Sequence, residues 1–209
     1  SGKNIFALLP NIIQLCRELG PDERLMLDAN QSWKLESAAS FINLLSAQQI
    51  IWIEEPMSAD TPSEQWQELA SRVSIPLAAG ENIRGIDGFS TAITEGYLHF
   101  IQPDACKWGG VSGCVHVARE ALNKGRIYCP HYLGGGIGLL ASAHILAAVG
   151  GDGLIEIDAN PNPLRNLLAQ PYPAINNGML IMPNGPGLGV DPDFDEAAKY
   201  IVKVHSYET

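Results

Sequence analysis

The chain has 209 residues, 46% hydrophobic and 17% charged, enough for one large globular domain with a sizeable core. Its formal net charge is -10 and no stretch is rich in Lys or Arg, which argues against a nucleic-acid partner. No apolar run approaches the length of a membrane span, and the opening residues do not read as a signal peptide.

In chain order, residues 4–19 have the apolar spacing of a helix, with Pro10 as a start or kink, and Gly20-Pro21 stops it. A short apolar run at 24–29 reads as a buried strand that ends in an acid, Asp28. Residues 34–48 read as a helix with Ala38, Phe41, Ile42 and Leu45 on one face. The next strand, 50–54, ends in Glu54 and Glu55. Thr61-Pro62 is a cap and first-turn signal for a helix over 62–73. A strand at 75–80 leads to Glu81, and a helix near 86–95 follows.

Residues 97–103 form a strand that ends at Asp104. A helix over 112–124 stops at Gly125, and a short strand at 126–130 ends at His131. The glycine-rich run 134–138 opens a helix to about 149. A phosphate cradle is one reading of that run; a loop beside His131 is the more economical one. A sixth strand, 154–156, ends at Glu156. Beyond it the pattern changes: residues 158–165 read as loop, 174–183 as a hairpin on the Asn177-Gly178 turn, and 193–203 as a last helix.

Strict alternation of strand and helix implies a parallel sheet with right-handed crossovers. Polar groups at the carboxyl end of every strand point to a (β/α) barrel rather than an open doubly wound sheet, which gathers its ligands at one switch point. The barrel closes with eight strands and six are read here, so the expectation is an incomplete α/β barrel over residues 1–157. Residues 158–209 form a separate closing segment.

Asp28, Glu54 and Glu81 recur at nearly equal intervals, each about one strand plus one helix apart. On neighbouring parallel strands they converge at one sheet edge. Three carboxylates there repel one another, and a hard divalent cation relieves the conflict. An all-oxygen donor set favours magnesium. Cys16, Cys106, Cys114 and Cys129 have no zinc-site spacing and read as free thiols of a reducing cytoplasm.

Taken together, residues 25–31, Trp52 to Pro56, Gly80-Glu81-Asn82, Gln102-Pro103-Asp104 with Gly109-Gly110, Pro130-His131 and Ile155-Glu156 resemble the enolase superfamily, most closely its mandelate racemase subgroup. The resemblance covers roughly residues 5–190. It implies a modified TIM barrel whose mouth is closed by a capping domain, to which the C-terminal segment returns. The capping domain, the first two strands and a lysine motif that often supplies a second acid or base have no counterpart here. The chain is therefore expected to be part of a longer protein.

The resemblance further implies one Mg2+ on Asp28, Glu54 and Glu81, and an enediolate formed when the proton α to a carboxylate leaves. His131 becomes the general base, oriented by Asp104. Glu156 faces the metal and, if protonated, hydrogen-bonds the substrate carboxylate. Asp104 stands where the muconate-lactonizing subgroup has a lysine, which favours the racemase-like dyad. Glu55 and Lys107 read as structural. Asn30 is the candidate for touching a substrate hydroxyl, with Asn160, Asn162 and Arg165 as alternatives or as ordinary loop chemistry.

The leading expectation is dehydration of an acid sugar to a 2-keto-3-deoxy acid. Racemisation or epimerisation of a 2-hydroxy acid is the alternative, and a fragment inactive without its missing part is a third. The expected partners are a small carboxylate substrate and, in the full-length protein, further copies of itself.

Overall fold

The computed structural model describes residues 5–205. Five strands form one parallel sheet in chain order: β1 (Leu25–Asp28), β2 (Ile50–Glu54), β3 (Leu77–Ala79), β4 (Phe100–Ile101) and β5 (Ile127–Tyr128). The crossovers are α2 (Leu35–Leu44), α3 (Ser63–Arg72), α4 (Gly85–Glu95) and α5 (Gly110–Asn123), with α1 (Leu9–Glu18) before β1 and α6 (Gly136–Val149) after β5. This is the α/β, partial-barrel architecture that the alternation predicts. Among the described residues no helix is long and apolar enough to cross a membrane.

Both faces of the sheet carry buried apolar side chains, which explains its apolar runs. On the helix side, Ile53, Leu77, Ala79 and Ile101 pack with Phe41, Ile42, Leu45, Leu69, Phe89 and Ile93. On the other side, the alternate positions Trp52, Ala78 and Phe100 meet Cys129. Fully burying each Leu, Ile or Phe contributes roughly 1.5–3 kcal/mol.

Register decides where the polar ends go. Asp28 pairs with Glu54, Glu54 with Ala78, Ala79 with Ile101, and Ile101 with Tyr128. The strands thus finish at one edge, where Asp28 and Glu54 end β1 and β2 and Glu81, Asp104 and His131 follow β3, β4 and β5 within two or three residues.

The sixth strand differs from expectation. Residues 154–156 join no ladder. Gly153 comes so close to β5 that a side-chain carbon there would stand 1.9 Å from the Tyr128 carbonyl oxygen, and the Leu154 N–H donates to Cys129 Sγ at 3.3 Å. A sulfur has taken a donor that a ladder carbonyl would otherwise accept.

The closing segment begins with α7 (Pro163–Leu167), where the sequence reads as loop. The Asn177-Gly178 hairpin is present, as β6 (Ile175–Asn176) and β7 (Met179–Leu180). Positive φ at both turn residues, 50° and 75°, fits the twist of a tight hairpin. The last helix is shorter than expected: α8 (Phe194–Ala197) passes into a 3-10 turn at Ala198–Tyr200. Leu188, Val190 and Tyr172 pack this segment against Tyr132, Leu139 and Leu140.

Candidate active site

Asp28, Glu54, Glu81, His131, Glu156 and Asn30 all line one cleft of about 400 Å3 at the carboxyl edge of the sheet, together with Lys107. Asp104, the remaining residue singled out by sequence, is buried and holds the ring of His131.

At the end of β1, Asp28 Oδ1 accepts the Asn30 N–H at 2.7 Å. Asn30 and Gln31 take left-handed backbone, φ 46° and 59°, and turn the chain along the cleft. Asn30 is thus tied to Asp28, and its side-chain amide also approaches Asp28 Oδ2, at 3.4 Å. Glu54 is held from beneath: Oε2 accepts from Gln102 Nε2 at 2.8 Å and from Trp52 Nε1 at 3.1 Å.

Glu55 departs from the cleft. Its φ of 40° turns the chain, its side chain is buried, and both carboxylate oxygens accept from Asn82 Nδ2. Its partner Asn82 also reaches Glu81 Oε1 at 3.2 Å, and the charge of Glu55 itself bears on Glu81 and Asp28.

Glu81 Oε2 faces the Lys107 ammonium and the His131 ring. It is ion-paired with Lys107 Nζ and lies 3.1 Å from His131 Nε2. Asp104 Oδ1 accepts the N–H groups of Cys106 and Lys107, the first turn beyond β4, while Oδ2 lies 2.8 Å from His131 Nδ1. Glu156 Oε2 accepts the Tyr132 N–H at 3.0 Å and lies 3.9 Å from His131 Nε2. It therefore stands beside the histidine.

The charges tune one another. Burial raises the Glu54 carboxyl, and the charges of Asp28 and Glu156 add to the rise against the bonds from Gln102 and Trp52. Burial pushes Glu55 up to about 7. Burial also works to raise Glu81, but Lys107 and His131 outweigh it and hold Glu81 below the usual carboxylate value. Asp104 is likewise lowered, its burial outweighed by the bonds from His131, Cys106 and Lys107. Burial disfavours a charged His131, yet the Asp104 bond and the Glu81 and Glu156 charges win, so the ring titrates above the ordinary histidine value.

The donor chemistry and strand placement fit a hard divalent cation: three carboxylates line one cleft, and Asp28 and Glu54 are cross-strand partners. The side chains are turned to other partners, however. Among the described residues no group of three His, Cys, Asp or Glu is gathered closely enough to hold a metal ion. Glu81 in particular is engaged with Lys107.

Lys107, read from the sequence as structural, lines the cleft, and the Gln102 and Trp52 donors escaped sequence reasoning. Lys107 carried a signal, a cation in the turn just past a strand-end acid. Gln102 carried one in its place two residues before Asp104. The loop candidates go the other way. Asn162 caps α7 and bonds the Gly134 carbonyl, and Arg165 donates to the Asp158 and Asn160 carbonyls. Asn160 bonds Asp158. These are local loop contacts.

Residues 10–197 match the family model described as enolase C-terminal domain-like. A D-galactarolactone cycloisomerase of Agrobacterium fabrum is 31% identical over 199 residues, which is 90% of this chain and 52% of that protein. A crystal structure of a mandelate racemase/muconate lactonizing enzyme from Bordetella bronchiseptica RB50 superposes with TM-score 0.89 at 45% identity, covering 96% of this chain and 56% of that one. A mutant L-talarate/galactarate dehydratase with Mg and L-glucarate bound superposes with TM-score 0.82 at 26% identity, covering 96% and 48%. The chain thus spans about half the length of each of these relatives.

Proposed function

The chain belongs to the enolase C-terminal domain-like family, and we propose that its cleft serves to remove the proton α to the carboxylate of an acid sugar, with loss of the β-hydroxyl as water. The observation that carries this reading is the buried His131 ring, held at Nδ1 by Asp104 and presenting Nε2 to the acid-lined cleft. Two of the three relatives, the D-galactarolactone cycloisomerase and the L-talarate/galactarate dehydratase, are named for sugar acids or their lactones, which supports that substrate class.

Asp28, Glu54 and Glu81 would hold one magnesium ion, which when bound supplies positive charge opposite the substrate carboxylate. A solved relative with Mg supports this choice of metal. Loading would require Glu81 to release Lys107.

The residues of the chain do the rest. Asp104 fixes the His131 tautomer, so that Nε2 is the basic atom. The α C–H bond breaks and its proton passes to Nε2, and the electron pair becomes a carbon–carbon double bond. The β C–O bond breaks, and the hydroxide takes the proton held on Nε2 and departs as water, which returns the ring to its neutral form. The resulting enol becomes the 2-keto-3-deoxy acid. Glu156, beside the ring, would hydrogen-bond the substrate carboxylate when protonated, and Asn30 would meet a substrate hydroxyl. Four free cysteines agree with a reducing compartment, and we assign the cytoplasm.

Incubating the intact protein with Mg2+ and a panel of acid sugars tests this reading. The expected result is a chelator-sensitive 2-keto-3-deoxy product from at least one sugar, lost in His131→Asn. Turnover that persists in His131→Asn would contradict the assigned base.

A further inference from the structure

Glu54 differs from the other two carboxylates in what holds it. Glu81 is held by an ammonium and Asp28 by its own following turn. Glu54 is held by two neutral, buried donors from β2 and from the end of β4, both on the same oxygen. Trp52 Nε1 comes from β2 itself, and Gln102 Nε2 comes from the residue after β4. Trp52 is 6% and Gln102 4% exposed.

We propose that Trp52 and Gln102 are positioning residues that pin Glu54 by Oε2 and so present Oε1 as the oxygen that meets a cation in the cleft. The inference deepens the metal reading given above and rests on it.

Three features support it. First, the Gln102 amide has only one tenable orientation. Its Oε1 is buried with no hydrogen-bond partner, a state that costs free energy. Turning the amide over would set that oxygen against the Glu54 carboxylate, which is worse. Glu54 thus dictates the orientation, and the orphaned oxygen is its consequence.

Second, the indole cannot easily swing away. It packs on Phe100 with ring centroids 4.7 Å apart, and Ala78 and Cys129 complete the cluster. Third, both donors are neutral. Each fixes the carboxylate without bringing the positive charge by which Lys107 competes for Glu81. A cavity of about 250 Å3 on this side, walled by Met26, Cys129 and Leu154 as well as Glu54 and Gln102, is largely apolar. Few other groups there could satisfy Oε2.

Magnesium chloride titrated into the intact protein by calorimetry, with tryptophan fluorescence in parallel, tests the proposal. Gln102→Met keeps the length and removes the donor; Trp52→Phe keeps a ring and removes the N–H. Each should weaken Mg2+ binding about 10- to 100-fold, the range usual when a partner of a metal ligand is lost. Leu69→Ala, which opens the helix-side core away from both donors, should lower the unfolding temperature and leave Mg2+ affinity unchanged.

If Trp52→Phe and Gln102→Met, folded by circular dichroism, bind Mg2+ as the parent does, the positioning proposal is overturned while the metal reading stands. If Leu69→Ala weakens binding as much as they do, general loss of stability is the cause and the proposal is again overturned. A parent protein that binds no Mg2+ would overturn both.

Discussion

His131 sits between Asp104 on one nitrogen and Glu81 on the other, with Glu156 nearby. The signs of the shifts define a pH window for the metal-free protein. The folded Asp104 carboxyl titrates below its ordinary 3.8, so its contribution is present above that value and is lost as pH falls through the folded pKa. The folded His131 ring titrates above its ordinary 6.5, so its contribution is present below 6.5 and is lost as pH rises through the folded pKa. Thermal unfolding across pH should therefore show stability declining above 6.5, and His131→Asn should flatten that decline. An unchanged slope would mean that other groups carry it. In catalysis, removing the ring should lower kcat by about 100- to 10,000-fold, the usual worth of a positioned acid or base. Lys107→Met should tighten Mg2+ binding in calorimetry, since no ammonium would then have to leave Glu81. Equal or weaker affinity would show that Lys107 does not compete.

At the scale of elements, the strand ends carry the argument. Gly80 lets β3 pass close to the segment after β4: a side-chain carbon there would lie 2.4 Å from the Gln102 carbonyl carbon. Gly80→Ala should cost roughly 1–3 kcal/mol in denaturant unfolding and disturb Glu81 and Gln102 together. Ile53→Ala, in the fully buried middle of β2, should cost roughly 2–5 kcal/mol without touching the cleft. These elements were legible because a buried parallel strand is a short apolar run, and an acid that stops it stands out. The run at 154–156 looked the same, but a ladder needs a partner's carbonyls, and apolar pattern does not report them. The five-residue α7 was overlooked although Asn162-Pro163 announces it, with a cap side chain and a proline at the first turn. The grip of Trp52 and Gln102 on Glu54 was not legible, because Gln102 is distant in sequence and only strand register brings it under that carboxylate.

At the scale of the molecule, the described residues form an open sheet with β1 and β5 at its edges. Large apolar side chains are exposed, among them Leu133, Leu154 and Met179. Unpaired edges and apolar surface favour association. The 209-residue polypeptide should associate with rising concentration in sedimentation velocity, and a monomer at every concentration would contradict this. The chain covers about half of its relatives, so the chemistry is best tested on the intact protein. The most direct test follows the α-proton of acid sugars by NMR in deuterated water, with Mg2+ and with a chelator. The account predicts that the α-proton signal is lost only when Mg2+ is present, and that Glu81→Gln slows this loss. Loss that is equally fast with the chelator would contradict the three-carboxylate cation site, and with it the central claim.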